Sequence, residues 1–220
     1  MKKVLNFINW SFIKRFFIVL ILFSVFVFIS AISYVNAVSE DLANSVFRLH
    51  VIANSDSSED QNLKYKVRDK VLEYMNNISK DCTSKDEVIL LAKEHADKFK
   101  EIAKQVITEN GYDYDVNVKI GNFNFPTKTY GDISFPAGNY DALRIEIGSA
   151  KGQNWWCVMF PPLCFVDVTS GVVPDESKEM IKQNLNDEEY NIISDSNSSD
   201  IKFKFSLIEF FKSITFAKNQ

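Results

Sequence analysis

Glycine and proline are missing from the first half of this 220-residue chain: all seven glycines lie between residues 111 and 171, and all five prolines between 126 and 174. Without these helix breakers, long helices are permitted before residue 110, and the turn-rich middle is where strands should be punctuated. Histidine and cysteine are scarce, at two and three residues. No Cys-x-x-Cys, His-x-x-x-His or His-Glu-x-x-His spacing occurs, which excludes the common zinc arrangements; no metal or other cofactor is expected. Charge is absent from the whole interval between Arg15 and Glu40. After that interval basic residues are in deficit, 21 against 29 acidic, a formal charge of −8. A body of that sign is poorly suited to nucleic-acid backbones or anionic lipid surfaces.

The uncharged interval is nearly all apolar from Phe16 to Ile32, with Lys2, Lys3, Lys14 and Arg15 before it and Glu40 and Asp41 after it. The positive-inside tendency sends everything beyond residue 38 across the membrane. Val35-Asn36-Ala37 offers small or β-branched residues for signal peptidase, whereas a nearly apolar run of seventeen residues exceeds an h-region of roughly 7 to 15 and reaches the ~17 to 25 of a membrane span. The expected organisation is a signal peptide or membrane anchor over 1–37, an exported domain over 38–185, an acidic Ser-rich linker over 186–200 and a Phe-rich segment over 201–220.

In the exported part, Phe47, Leu49 and Val51 alternate with Arg48 and His50, the pattern of a half-buried strand. A polar loop from Asn54 to Asp60 follows, and Ser58 with Gln61 has capping-box spacing. Leu63, Val67, Val71 and Tyr74 or Met75 then recur as one face of a helix. Ser84 and Glu87 open a second helix whose apolar face runs without interruption from Val88 through His95 and Phe99 to Val106, and Gly111 stops it. Tyr114 to Ile120 alternates as a second strand ending at Gly121. Residues 121–139 form a hairpin-like excursion, and Ala142 to Gly148 resumes as a strand.

Trp155 to Phe160 is apolar on both sides, which suits a central strand. A helix is expected around Lys178 to Leu185, a strand over Ile201, Phe203 and Phe205, and helical spacing from Leu207. The class that results is α+β: a mixed or antiparallel sheet with two main helices on one face, preceded by a membrane-targeting helix.

The chemistry-bearing residues are few. Cys157 and Cys164 read first as buried small hydrophobic residues, and a disulfide between them stays open because Pro161-Pro162 can supply the turn it needs. A cysteine hydrolase would need Cys157 with His50 and Asp56 or Asp60, and no local motif ties these together. Asp56, Ser58 and Asp60 imitate a calcium loop, but Gln61 stands where its glycine should be and Val67 where its bidentate glutamate should be. Gly148 to Gly152 leads towards the Trp pair and reads as a turn rather than a phosphate cradle. Aromatic residues in turn-rich segments (Phe123, Phe125, Tyr130, Phe135, Trp155, Trp156) are candidate binding anchors, with core lining as the competing role.

The blocks Arg48-Leu49-His50-Val51-Ile52-Ala53-Asn54-Ser55-Asp56-Ser57, Asp60-Gln61-Asn62-Leu63-Lys64, Phe125-Pro126-Thr127-Lys128-Thr129-Tyr130-Gly131, Pro136-Ala137-Gly138-Asn139-Tyr140-Asp141 and Gly152-Gln153-Asn154-Trp155-Trp156-Cys157 resemble the stage II sporulation protein R family over roughly residues 46–168. The resemblance implies a signalling protein of endospore formers, secreted across the forespore membrane into the intermembrane space. There it would activate a membrane-embedded aspartic protease of the mother cell that cleaves pro-sigma-E. It implies a ligand, not an enzyme, and brings no catalytic residues. Arg48, His50, Asp56, Lys128, Gln153, Asn154 and Trp155 are the expected partner-binding residues.

Overall fold

The computed structural model describes residues 10–164, 173 and 175–194. The breaker-free first half builds four helices: α1 (Trp10–Ser45), α2 (Ser58–Ile78), α3 (Lys85–Glu94) and α4 (Ala96–Glu109). The chain divides into two compact units between Val38 and Ser39. In the first, Phe12–Ala31 is long and apolar enough to cross a membrane, and side chains such as Phe16, Leu22 and Phe26 are exposed. Such a stripe is compatible with a signal peptide or a transmembrane helix.

In the second unit, strands β1 (Phe47–Ile52), β2 (Val116–Phe125), β5 (Gly138–Ile147) and β6 (Asn154–Phe160) form one sheet in the order β2-β5-β1-β6. β1 is parallel to β5 and antiparallel to β6, while β2 is antiparallel to β5, so the sheet is mixed. Phe47, Leu49 and Val51 of β1 join Leu143, Ile145, Ile147, Cys157 and Met159 in the main core. α2 and α4 cover it with Leu63, Val67, Val71, Phe99 and Ala103. This is the expected α+β class, with two helices on one face.

Several local expectations are corrected. β1 is buried at all six positions, not half-buried, because as a central strand it is covered on both faces. The cap of α2 is Ser57, one residue earlier than expected; its hydroxyl accepts from the Asp60 N–H. Ser84 and Glu87 do form a capping box, but the helix they open breaks at His95, whose ring Nδ1 lies 2.7 Å from the Tyr74 hydroxyl. Gly111, at φ +84°, ends α4 where a side chain would be strained.

β2 does not stop at Gly121 but pairs with β5 through Phe125. The excursion beyond it holds a small hairpin, β3 (Lys128–Tyr130) and β4 (Ile133–Phe135). β6 is an edge strand, not a central one. Its apolar character has another cause: Cys157 and Met159 enter the helix-side core while Trp156 stacks on the opposite face.

Cys157 and Cys164 are disulfide-bonded, Cα–Cα 5.2 Å, rather than separate buried thiols; the Pro161-Pro162 turn brings them together. Two further helices follow, α5 (Asp175–Asn184) and α6 (Asp187–Ser194). α6 occupies part of the expected linker and buries Ile193. Residues 195–200 of that linker and the Phe-rich segment lie outside the described residues.

Candidate functional site

At one end of the sheet the loop after β1 and the turn after β5 are locked together. The Asn54 side-chain oxygen accepts from the Ser149 N–H at 3.0 Å, and the Asn54 and Ala53 carbonyls accept from the N–H groups of Lys151 and Gly152. Asp60, at the start of α2, turns inward and accepts from Asn54 at 2.9 Å and Ser55 at 2.5 Å. Burial alone would raise the Asp60 carboxyl, but hydrogen bonds from Ser55, Asn54 and Tyr114 outweigh it and hold it below the usual range. The calcium-like spacing of Asp56 and Asp60 is thus spent on the loop's own structure. Lys64, also buried, donates to Gln61 at 2.5 Å and to the Gln153 carbonyl at 3.1 Å. Gly152 permits this closure: a Cβ there would lie 2.2 Å from the Ser55 carbonyl oxygen.

Asp56 and Gln153 meet on the outside of this lock, where the Asp56 carboxylate accepts from the Gln153 N–H at 2.7 Å. Asn154, next in the chain and exposed, places its side-chain oxygen 2.6 Å from His50 Nε2. His50 itself is 4% exposed, stacked on Trp156 at 3.6 Å and edge-on to Phe125. Desolvation lowers its pKa to about 4 against the pull of the Asn154 bond, with Arg144 and Arg48 adding repulsion. The imidazole is therefore neutral at physiological pH and serves as a wedge rather than a charge.

Arg48, two residues earlier on the same face of β1, is fully buried. Its guanidinium lies 4.2 Å from the Phe125 ring centroid and 4.6 Å from that of Tyr140, and donates to the Tyr130 hydroxyl at 2.7 Å. No carboxylate pairs with it among the described residues, and its Nε and Nη1 find no partner. Ring faces are its main compensation.

Of the seven expected partner-binding residues, the fold thus gathers Asp56, Gln153, Asn154 and His50 at one end. It places Arg48 beneath the hairpin and Trp155 on the other side of the sheet. There Trp155 packs edge-on against Tyr65, with the Arg68 guanidinium 4.3 Å from its centroid. Lys128 sits apart on β3, opposite Phe135. Among the aromatic candidates, Phe125 and Phe135 are core residues, while Phe123, Tyr130 and both Trp of the pair keep partial exposure. Tyr65, Arg68 and Arg144 were not among the expected partner-binding residues, although Arg68 and Arg144 lie within the stretch that resembles the family. The helical spacing of Tyr65 and Arg68, beside but outside the apolar stripe of α2, was the available signal.

The Cys157–His50 pair is not assembled. Leu49 pairs with Cys157 and His50 with Trp156, so the cysteine and the histidine point to opposite faces, and the sulfur is bonded to Cys164. Among the described residues no cluster of three or more His, Cys, Asp or Glu is poised for a metal ion.

Fold and site together define an α+β domain behind an apolar helix compatible with a signal peptide or a transmembrane helix, with a polar surface in which no cysteine nucleophile is assembled. The family model for stage II sporulation protein R matches residues 43–170, and the chain belongs to that family. Stage II sporulation protein R of Bacillus subtilis (strain 168) is 40% identical over 144 residues, which is 64% of this chain and 64% of that relative. No solved structure matches the chain.

Proposed function

We propose that this chain is an exported sporulation signal that crosses the forespore membrane and activates a membrane-embedded aspartic protease of the mother cell, so that pro-sigma-E is cleaved. Family membership over residues 43–170 carries this reading, and the apolar helix at Phe12–Ala31 supports export. The protein acts as a ligand in the intermembrane space. It is released if the chain is cut after Ala37 and stays anchored through residues 16–32 if it is not. A cut there leaves Leu42, fully buried, with the domain.

The contact surface is the exposed end formed by Asp56, Gln153 and Asn154; Lys128 on the hairpin and Trp155 on the helix side of the sheet are further candidate contacts away from it. Buried Arg48 and His50 shape this surface from beneath. Lock and surface share the same backbone, so the geometry of the surface is held rigid before a partner arrives.

Co-expression of the full chain, the protease and pro-sigma-E in a non-sporulating host tests the reading. Processing should require both the chain and the protease; processing without the protease, or none with all three, overturns it. An alanine set at Asp56, Lys128, Gln153 and Asn154 should reduce processing at least tenfold while the protein accumulates normally. Full processing by that set removes the surface assignment and leaves the signalling role standing.

A further inference from the structure

The two edges of the sheet are treated differently. On β6 the Trp156 carbonyl accepts from the Tyr130 hydroxyl at 3.2 Å and the Val158 carbonyl accepts from the Leu163 N–H at 3.1 Å. The strand then runs into the disulfide-closed turn. β2, at the other end of the strand order, pairs with β5 over ten consecutive residues without a register shift. Among the described residues no backbone group bonds to its outer side. Of the usual protections of an edge strand it has neither proline nor bulge, only the single charge of Lys119.

We propose that the outer edge of β2 is a docking strand for an extended segment of a protein partner whose side chains alternate apolar and acidic. Charge selects the acidic positions. Lys119, Arg144 and Asn117 all converge on one carboxylate, Glu146, at 3.0, 2.9 and 3.0 Å. Around Lys119 the open face thus carries two cations against one carboxylate, with the exposed Asp115 just before the start of the strand. Val118 and Ile120 select the apolar positions, since they point to the helix side, pack against the core and remain partly uncovered. Because neighbouring residues of a strand face opposite sides, an incoming strand meets Lys119 with one set of side chains and Val118 and Ile120 with the other. A second copy of this chain could offer only Asp115 to Lys119, and self-pairing is an outcome that the test separates. The inference stands on the strand's own geometry and not on the protease reading.

The test uses the full chain in nanodiscs, with hydrogen exchange of residues 116–125 read against two synthetic peptides, Val-Glu-Val-Glu-Val-Glu-Val and its Lys-for-Glu counterpart. The acidic peptide should slow exchange in this segment at least tenfold and the basic one should not. Lys119→Glu should reverse that preference, and Lys119→Ala, which introduces no repulsion with Glu146, should weaken the acidic peptide at least tenfold. Equal protection by both peptides, protection confined to another segment, or concentration-dependent protection of 116–125 in the free chain overturns the proposal, the last by showing self-pairing.

Discussion

Leu49 and His50 are neighbours in one strand and belong to two different interiors. Leu49 faces the helix layer, where apolar side chains from α2, α4 and the sheet interdigitate. His50 faces the hairpin side, where Arg48, Phe125, Tyr130, Phe135 and Tyr140 build an interior of rings around a cation. Both residues are hidden from water, at 0% and 4% exposure. Equal burial therefore carries opposite energetics. The first face gains by removing apolar surface from water, whereas the second removes a guanidinium from water and recovers the cost through ring faces and one hydroxyl. The helix side supplies stability, and the hairpin side supplies shape at the end where the candidate surface lies.

The largest effect should come from the helix side. Leu49→Ala leaves a cavity in a closed core and should cost about 2–5 kcal/mol, read as a fall in the unfolding midpoint of the detergent-solubilised chain. A loss near zero would mean that this face is not the stabilising one.

The hairpin side should instead respond to pH. His50 has a folded pKa of about 4 against 6.5 when unfolded, so the unfolded chain takes up the proton first. Stability is complete above about pH 6.5 and falls as pH drops towards 4, by up to about 3 kcal/mol in total. Unfolding measured at steps between pH 7 and 4 should show this slope, and His50→Gln should flatten it. A slope unchanged in that variant assigns the effect elsewhere.

The smallest effect is the sharpest contrast with Leu49. Arg48→Met exchanges the buried cation for an apolar chain of similar length and should destabilise by no more than about 1 kcal/mol, or even stabilise. A loss as large as that of Leu49→Ala would show that the ring cage more than repays the buried charge.

Much of this organisation is legible in local pattern. The uncharged run before Glu40, the capping box at Ser84 and Glu87, the stop at Gly111 and the strand–loop–helix order from Phe47 to Asn76 each follow from residues a few positions apart. Arg48 and His50 were legible as one face of a strand but not as buried, because what covers them is distant in sequence: Tyr130 lies 82 residues from Arg48 and Asn154 lies 104 from His50. The same holds for β6. Residues apolar on both sides read as a central strand, yet an edge strand acquires that composition when the hairpin side covers its second face. The lock between Asn54 and Ser149, 95 residues apart, carried no periodic signal at all.

By itself the sequence determined the N-terminal apolar helix, the acidic sign of the domain, the α+β class and the blocks that mark the family, since each rests on composition or short-range period. Only the tertiary structure decided that Cys157 and Cys164 are joined, that Cys157 and His50 turn their backs on each other, and that among the described residues β2 keeps an open edge while β6 does not. These depend on register and strand order, which long-range packing selects among several arrangements that the same local pattern allows.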